Sequence, residues 1–553
     1  MAVKMNCLSS KAICVFFVLA VFSADASRSG MSVRLTDALE WLYPDSKIDQ
    51  FAAVEEVDVP YNGVAEVNVL FNDLIPGVPL TFSADVQSPE WFRLVDVPVA
   101  KNTGFVGFTE KPGETNEFVS RNAPFRVYDA MMPIAAGSIT PTSSVVALRF
   151  RLRRFPRKYG AFDVNFNYSQ GRSGARGKLR VCVHPVSLPP VGRGSFKYTN
   201  WMDYYGATRC HGVRSFWTDE HWKVVRRYIE LGVYGRQNMV QLPLFLKKGA
   251  AGERMLDEER YGRFVAMLDD AGVAYLEGPH FCRFMDGSWS SKTFRTVIGT
   301  NATTSAEGAA ELAWLASSFA DMIRRKGWNE RWYQHVADEP SAHNAAEYRI
   351  TAGIVRKYMP GVKLIDAIEI PELAGSLDAY CPKNHDYERK RGDYEKLRTR
   401  KTDEIWCYTC CYPGGRWMNR LLDHELLRPL YLPWGCFLYS LEGYLHWGFN
   451  RYSPQSGPFM PGFGGNLPPG DTHIVYPGAG DDGPWPSVRL EAMRQGMEDI
   501  ELLRMLEKRD SARAREIAMK LVRGFGDYTL DVSAYRRVRR ELLKNLSKSE
   551  EKK

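Results

Sequence analysis

The feature that most limits what this chain can fold into is a change of rhythm near residue 190. From residue 31 to 189, short alternating apolar stretches are broken by glycine, proline and asparagine, as in Ala65-Glu66-Val67-Asn68-Val69-Leu70-Phe71 and Gly177-Lys178-Leu179-Arg180-Val181-Cys182-Val183. A side-chain period of two marks half-buried strands, and turn residues at this spacing predict an antiparallel β-sandwich. Leu188-Pro189-Pro190-Val191-Gly192-Arg193-Gly194 is a stiff connector, and beyond it strands alternate with helices. Strands are expected at 196–202, 236–241, 274–279, 332–337, 363–367, 377–381, 404–409 and 443–448, and helices at 219–231, 257–270, 305–326, 342–357 and 420–429. Eight strands, most of them separated by helices, predict a (β/α)8 TIM-type barrel. No glycine-rich phosphate loop follows the first strand, which argues against a dinucleotide fold. A helix at 486–506 is expected to close the barrel, with C-terminal helices at 511–546 packed outside it.

The 553 residues exceed the ~250–300 at which a single core stops growing, so more than one domain is expected. Lys4 and Lys11, the apolar run 12–22 and Ala24-Asp25-Ala26 read as a signal peptide, and hence as export to the periplasm or exterior. The expected division is 1–26 signal peptide, 27–190 sandwich, 191–507 barrel and 508–553 helical segment. No later run is long enough to span a bilayer, so stable membrane insertion is not expected. Much of the formal charge of +8 is local: residues 504–553 hold 15 Lys or Arg against 8 Asp or Glu. These charges mix with acids and accompany no reading motif, so the tail reads as a solvated helical surface and nucleic acid is not an expected partner. Cys407-x-x-Cys410 has zinc spacing, but no second pair matches it, which favours buried thiols over a metal site. A bond between the adjacent Cys410 and Cys411 would be strained. Neither a metal nor a cofactor is expected.

The chemistry concentrates in Trp332-Tyr333-Gln334-His335-Val336-Ala337-Asp338-Glu339-Pro340. Pro340 has no amide proton and is expected to hold Glu339 in extended backbone, which ends the strand there. Two acids at the carboxyl end of a barrel strand lie where parallel barrels keep their catalytic groups. The alternative is that Asp338 and Glu339 only open the next helix, where negative charge is favoured. Other strand ends carry Asn200, Asn238, His280, Tyr380, Trp406, Tyr408, Trp447 and Asn450, a rim of rings and amides that suits a sugar, although barrels also use rings as filler. Glycoside cleavage needs a proton for the leaving oxygen and stabilisation of the charge at the anomeric carbon. Adjacent acids stand on one side of the sugar, which suits attack by the substrate's own 2-acetamido oxygen. Glu339 would then protonate the leaving group and later activate water, while Asp338 orients the acetamide nitrogen. The expected partner is a glycan substrate.

Four ordered blocks carry a resemblance: His335-Val336-Ala337-Asp338-Glu339-Pro340, Trp406-Cys407-Tyr408-Thr409-Cys410-Cys411-Tyr412-Pro413, Gly443-Tyr444-Leu445-His446-Trp447-Gly448-Phe449-Asn450-Arg451-Tyr452, and Ile474-Val475-Tyr476-Pro477-Gly478 followed by Ser487-Val488-Arg489-Leu490-Glu491-Ala492-Met493-Arg494-Gln495-Gly496-Met497-Glu498-Asp499. The chain resembles glycoside hydrolase family 123, exo-acting β-N-acetylgalactosaminidases. The resemblance implies a sandwich before a (β/α)8 barrel, substrate-assisted cleavage by Asp338 and Glu339, and specificity for terminal β-linked N-acetylgalactosamine on glycolipid-type glycans. Tyr408 and Tyr444 are both candidates for the contact to the acetamide oxygen. Other readings are hydrolysis of another β-glycoside, such as a β-N-acetylglucosaminide, or a non-catalytic carbohydrate-binding surface protein.

Overall fold

The computed structural model describes residues 30–460, 465–478 and 482–548; the expected signal peptide lies outside them. The first part of the chain forms two five-stranded sheets. One runs Ser32–Thr36, Ala65–Asn72, Val146–Leu152, Glu90–Val99, Phe125–Ile134 from edge to edge; the other runs Glu56–Pro60, Ser173–His184, Gly160–Gln170, Leu80–Ala84, Ser138–Ile139. Alternation turns one face of each toward a common core, where Val67, Val69, Leu148 and Phe150 of the first meet Val164, Phe166, Leu179 and Val181 of the second. One pairing departs from the antiparallel expectation, because Glu56–Pro60 runs parallel to Ser173–His184. That strand continues directly into the other sheet, so no hairpin to its neighbour sets its direction.

The second part is a parallel sheet rolled into a nearly closed barrel. Its order is Glu404–Ile405, Ala379–Pro382, Lys363–Ile368, Trp332–Gln334, Tyr275–Glu277, Met239–Gln241, Lys197–Asn200, Gly443–His446, Cys407–Thr409. The two end strands are consecutive in the chain and parted only by Trp406, and Tyr408 bridges in parallel to Lys383 beyond Ala379–Pro382. The helices Asp219–Tyr234, Glu258–Ala271 and Ala306–Lys326 begin where Thr218, Asp257 and Ser305 side chains accept a first-turn amide. The helix expected at 420–429 is displaced to Leu427–Leu438. Every residue of that helix is buried, so it has no polar stripe from which its period could be read.

The basic tail is only in part the solvated surface expected of it. In the helix Val532–Ser547, Arg536 bonds to Asp37, Arg539 to Asp499, and Arg540 to Asp58 and Glu56, so its cations fasten the C-terminus to the first sheets and to the helix Val488–Glu507. Cys407 Sγ lies 3.4 Å from Cys436 Sγ, and Cys410 Sγ lies 3.9 Å from Cys411 Sγ, all unbonded, so the Cys407 and Cys410 thiols keep different company. Among the described residues, no helix is long and apolar enough to cross a membrane.

Candidate active site

The strand beneath the two acids is shorter than expected. It spans only Trp332–Gln334, and the following helix opens at Ala345, so Asp338 and Glu339 belong to a free-standing turn and do not begin the helix. Glu339 has φ 43°, the reverse of the extended backbone that Pro340 was expected to impose. A bulky residue before proline is strained there and persists only when its surroundings hold it. Part of that hold is the Glu369 amide, which donates to the Pro340 carbonyl at 3.2 Å. Both acids remain partly exposed, so neither is sealed inside the protein.

Below the turn lies a chain of buried charge. His335 Nδ1 is 2.6 Å from Asp366 and its Nε2 is 2.5 Å from Glu277, with all three side chains fully buried. Burial opposes a charge on the ring, but the two carboxylates prevail and push its pKa up to about 10. His335 is therefore an imidazolium at neutral pH. Asp366 also accepts the Val336 and Ala337 amides at 3.1 and 3.0 Å and the Tyr348 hydroxyl, which pins the backbone leading into Asp338. Glu277 accepts Trp201 Nε1 at 2.6 Å and Thr199 Oγ1 at 2.7 Å. His280 stacks on His335 with centroids 4.3 Å apart, and burial and that neighbouring charge hold its pKa well below the usual value. His280, His335 and Asp366 offer donor atoms within 4.8 Å of one another, and both ring nitrogens of His335 are already engaged by Asp366 and Glu277.

The two acids have different neighbours. Glu339 accepts the Tyr408 hydroxyl and lies 3.4 Å from Lys383 Nζ, which is also 3.0 Å from Glu369. Burial works against the Lys383 charge, yet Glu339 and Glu369 carry its pKa above the ordinary lysine value. Burial and Glu339 push the Tyr408 phenol well up, so it keeps the proton it donates. Burial, then the charges of Glu339 and Asp366, push Asp338 up to about 8 against the pull of His335 and Lys383. At neutral pH the pair thus retains a proton.

The rim residues divide. Tyr408 reaches Glu339, His280 covers His335, and half-buried Trp447 donates from Nε1 to Asp471 at 3.1 Å. Asn200 accepts from Arg420 at 2.7 Å and Asn450 accepts the Asp203 amide at 2.7 Å, so both are buried braces behind the rim. The Tyr444 hydroxyl is sealed against Thr409 Oγ1 at 2.6 Å, which removes it as an acetamide contact. Tyr380 turns back to the Gly375 and Leu377 amides, Trp406 donates to Glu404, and Asn238 precedes its strand and bonds to the Gly192 and Phe196 carbonyls. These three lie toward the amino-terminal end of the barrel and do not belong to the site. Conversely, Asp366, Lys383 and Tyr412 were not singled out from the sequence. Asp366 did leave a signal, a lone acid in the apolar run Leu364-Ile365-Asp366-Ala367-Ile368, since a buried charge requires partners. A cavity of about 730 Å³ lies elsewhere, between Glu40, Tyr43, Arg121, Glu425 and Asp531, and shares no residue with this network.

The model described as "Glycoside hydrolase 123, catalytic domain" matches residues 244–506, which include both acids, His335, Asp366, Lys383 and Tyr408. Residues 244–506 are a family 123 glycoside hydrolase domain. Among solved structures, a family 123 glycoside hydrolase from Clostridium perfringens, described for glycolipid glycan hydrolysis, superposes on the chain with a TM-score of 0.67 at 11% identity. It covers 94% of this chain and 97% of its own, a likeness of fold across both parts of the chain. A family 39 glycoside hydrolase from Bacteroides cellulosilyticus WH2 superposes with a TM-score of 0.36 at 10% identity, covering 85% of this chain and 83% of its own. No curated protein sequence matches.

Proposed function

We propose that this family 123 hydrolase is an exo-acting β-N-acetylgalactosaminidase that retains configuration through an oxazolinium intermediate. The observation that carries the reading is the contrast between its adjacent acids: Asp338 sits among carboxylates and a buried imidazolium, Glu339 against an ammonium and a phenol. In the free site the shared proton rests on Asp338. An acetamide N–H donating to Asp338 favours its anion, and the proton passes to Glu339. Glu339 then gives it to the leaving oxygen as the acetamide oxygen attacks the anomeric carbon and the glycosidic bond breaks. Asp338 faces the oxazolinium charge, and Tyr408 steadies Glu339, to which it donates. Water then attacks the anomeric carbon, losing a proton to Glu339 and opening the ring; on product release that proton returns to Asp338.

The N-acetylgalactosamine specificity rests on the family resemblance and on the glycolipid glycans named for the Clostridium perfringens relative. We read the two facing sheets as a β-sandwich and residues 404–409 as one strand interrupted at Trp406, which makes the barrel (β/α)8. We also read the protein as exported, with a mature chain beginning at Ser27. Nitrophenyl β-glycosides of N-acetylgalactosamine, N-acetylglucosamine and galactose test the reading. Release is expected from the first, with kcat/KM falling about 10³-fold in Glu339→Gln and thermal stability retained. Cleavage of the galactoside alone would overturn it.

A further inference from the structure

The strands Glu90–Val99 and Phe125–Ile134 of the first sheet are joined by residues 100–124, a long connection with no strand of its own. Connections of this length inside a compact fold usually have a task. This one leaves its sheet and lies across the barrel. Buried Asp423 of the barrel accepts the Thr103 amide at 2.6 Å, Thr103 Oγ1 at 2.8 Å and Asn102 Nδ2 at 3.1 Å. From that anchor the chain turns back on itself, with Thr103 bridging to Thr109 and the Gly104 amide donating to Phe108 O at 2.8 Å.

The tip of this hairpin is held against the loop that follows Tyr408. The Phe108 amide donates to Cys411 O at 2.9 Å, the Gly414 amide donates to Val106 O at 2.7 Å, and the Phe108 ring meets Tyr412 edge-on at 4.8 Å. Gly107 lies so close that a β-carbon there would stand 2.3 Å from Tyr412 Cδ1 and 2.6 Å from Cys411 O. Tyr412 is in turn 6.0 Å from Lys383 Nζ, the cation on Glu339. The hairpin therefore stands on the Lys383 side of Glu339; Asp338 feels Lys383 as well, but Asp366 and His335 are its further charged neighbours, and the ion-pair contact of Lys383 is with Glu339. A glycosidase's proton donor faces the leaving group, and the acetamide lies at the other acid. At the tip, Phe105 and Val106 are 51% and 65% exposed, an apolar pair presented to solvent, with the Phe105 ring 6.0 Å from that of Phe118.

We propose that the hairpin Thr103–Thr109 is the leaving-group wall of the active site, and that Phe105 and Val106 give it a preference for apolar leaving groups. The first domain then supplies specificity that the barrel alone lacks. The inference rests on Glu339 being the proton donor to an N-acetylhexosaminide.

Methyl and octyl β-glycosides of N-acetylgalactosamine test it, because their leaving alcohols have similar acidity and differ mainly in apolar length. The wild type is expected to prefer the octyl glycoside in kcat/KM. The double variant Phe105→Ser, Val106→Ser should lower that octyl-to-methyl ratio about tenfold through KM. Gly107→Ala, which drives the hairpin off Tyr412, should lower the ratio and also kcat on both glycosides. An unchanged ratio in the double variant, or no octyl preference in the wild type, would overturn the inference and leave the chemistry of Asp338 and Glu339 standing. A wild type that hydrolyses neither glycoside would overturn the functional reading and this inference with it.

Discussion

Two charge networks in this molecule are built from carboxylates and cations in different proportions. One lies between the first sheet and the helix Val488–Glu507, where Glu66, Asp129, Glu491 and Glu498 meet Arg149, Arg151, Arg489 and Arg494 at 2.5–2.9 Å. The other lies at the open end of the barrel, where Glu277, Asp338, Glu339 and Asp366 face only His335 and Lys383. In the first, each acid has a guanidinium. Burial would raise Glu491, but Arg494 and Arg151 hold it down at about 2, while burial and the charge of Glu491 push its neighbour Glu66 up. In the second, the cations are too few, and Asp338 rises to about 8. Each network holds a raised carboxyl, so what separates them is pairing: every acid of the first, a clamp, has a guanidinium, whereas the four acids of the partly open site share His335 and Lys383.

The largest effect expected from breaking this contrast is in the clamp. Arg494→Met leaves Glu66, Glu491 and Glu498 each short of a partner and should cost about 3–5 kcal/mol in urea unfolding, because an unpaired buried charge is the expensive state. If the clamp is only structural, the folded variant keeps wild-type kcat. Next is His335. Its folded pKa of about 10 stands above the unfolded value of ~6.5, so its stabilisation is complete below that value and fades as pH rises toward 10. Wild-type thermal unfolding should show that alkaline decline, and His335→Gln should lack it. The smallest effect is a gain. Asp338 also has a raised folded pKa, so ionising it costs stability increasingly between about pH 4 and 8. Asp338→Asn should therefore unfold later than the wild type above pH 8, by about 1 kcal/mol, with the gain vanishing near pH 4 and hydrolysis lost. A destabilised Asp338→Asn at pH 8 would place that acid with the clamp.

The legible parts of the fold are those whose pattern repeats. The period-two runs at Ala65–Asn72 and Ser173–His184, and the capped helices at Asp219–Tyr234 and Ala306–Lys326, fall where alternation and cap residues put them. Leu427–Leu438 was misplaced because a helix buried on every side shows no face. At the site, Asp338-Glu339-Pro340 could be read because two acids before a proline at a strand end are chemically conspicuous. The rim could not be sorted in the same way. Tyr408 and Tyr444 both lie on barrel strands, yet one hydroxyl reaches Glu339 and the other is closed off by Thr409. Trp406 and Tyr380 showed the same residue types at the same kind of position but point to the far end.

What the sequence alone determined was the order of elements, the division into a strand-rich part and a strand–helix part, and the adjacency of two acids. These follow from local propensity and spacing, which act over a few residues. Only the tertiary structure decided which cations face which acids, that Glu339 takes a left-handed backbone, and that a hairpin from the first sheet stands beside Lys383 and Tyr412. The physical reason is distance along the chain. A pKa is set by every charge within a few ångströms, and although Glu339 and His335 lie beside Asp338 in the sequence, Asp366 and Lys383 come from elements further along the chain, gathered only when the barrel closes.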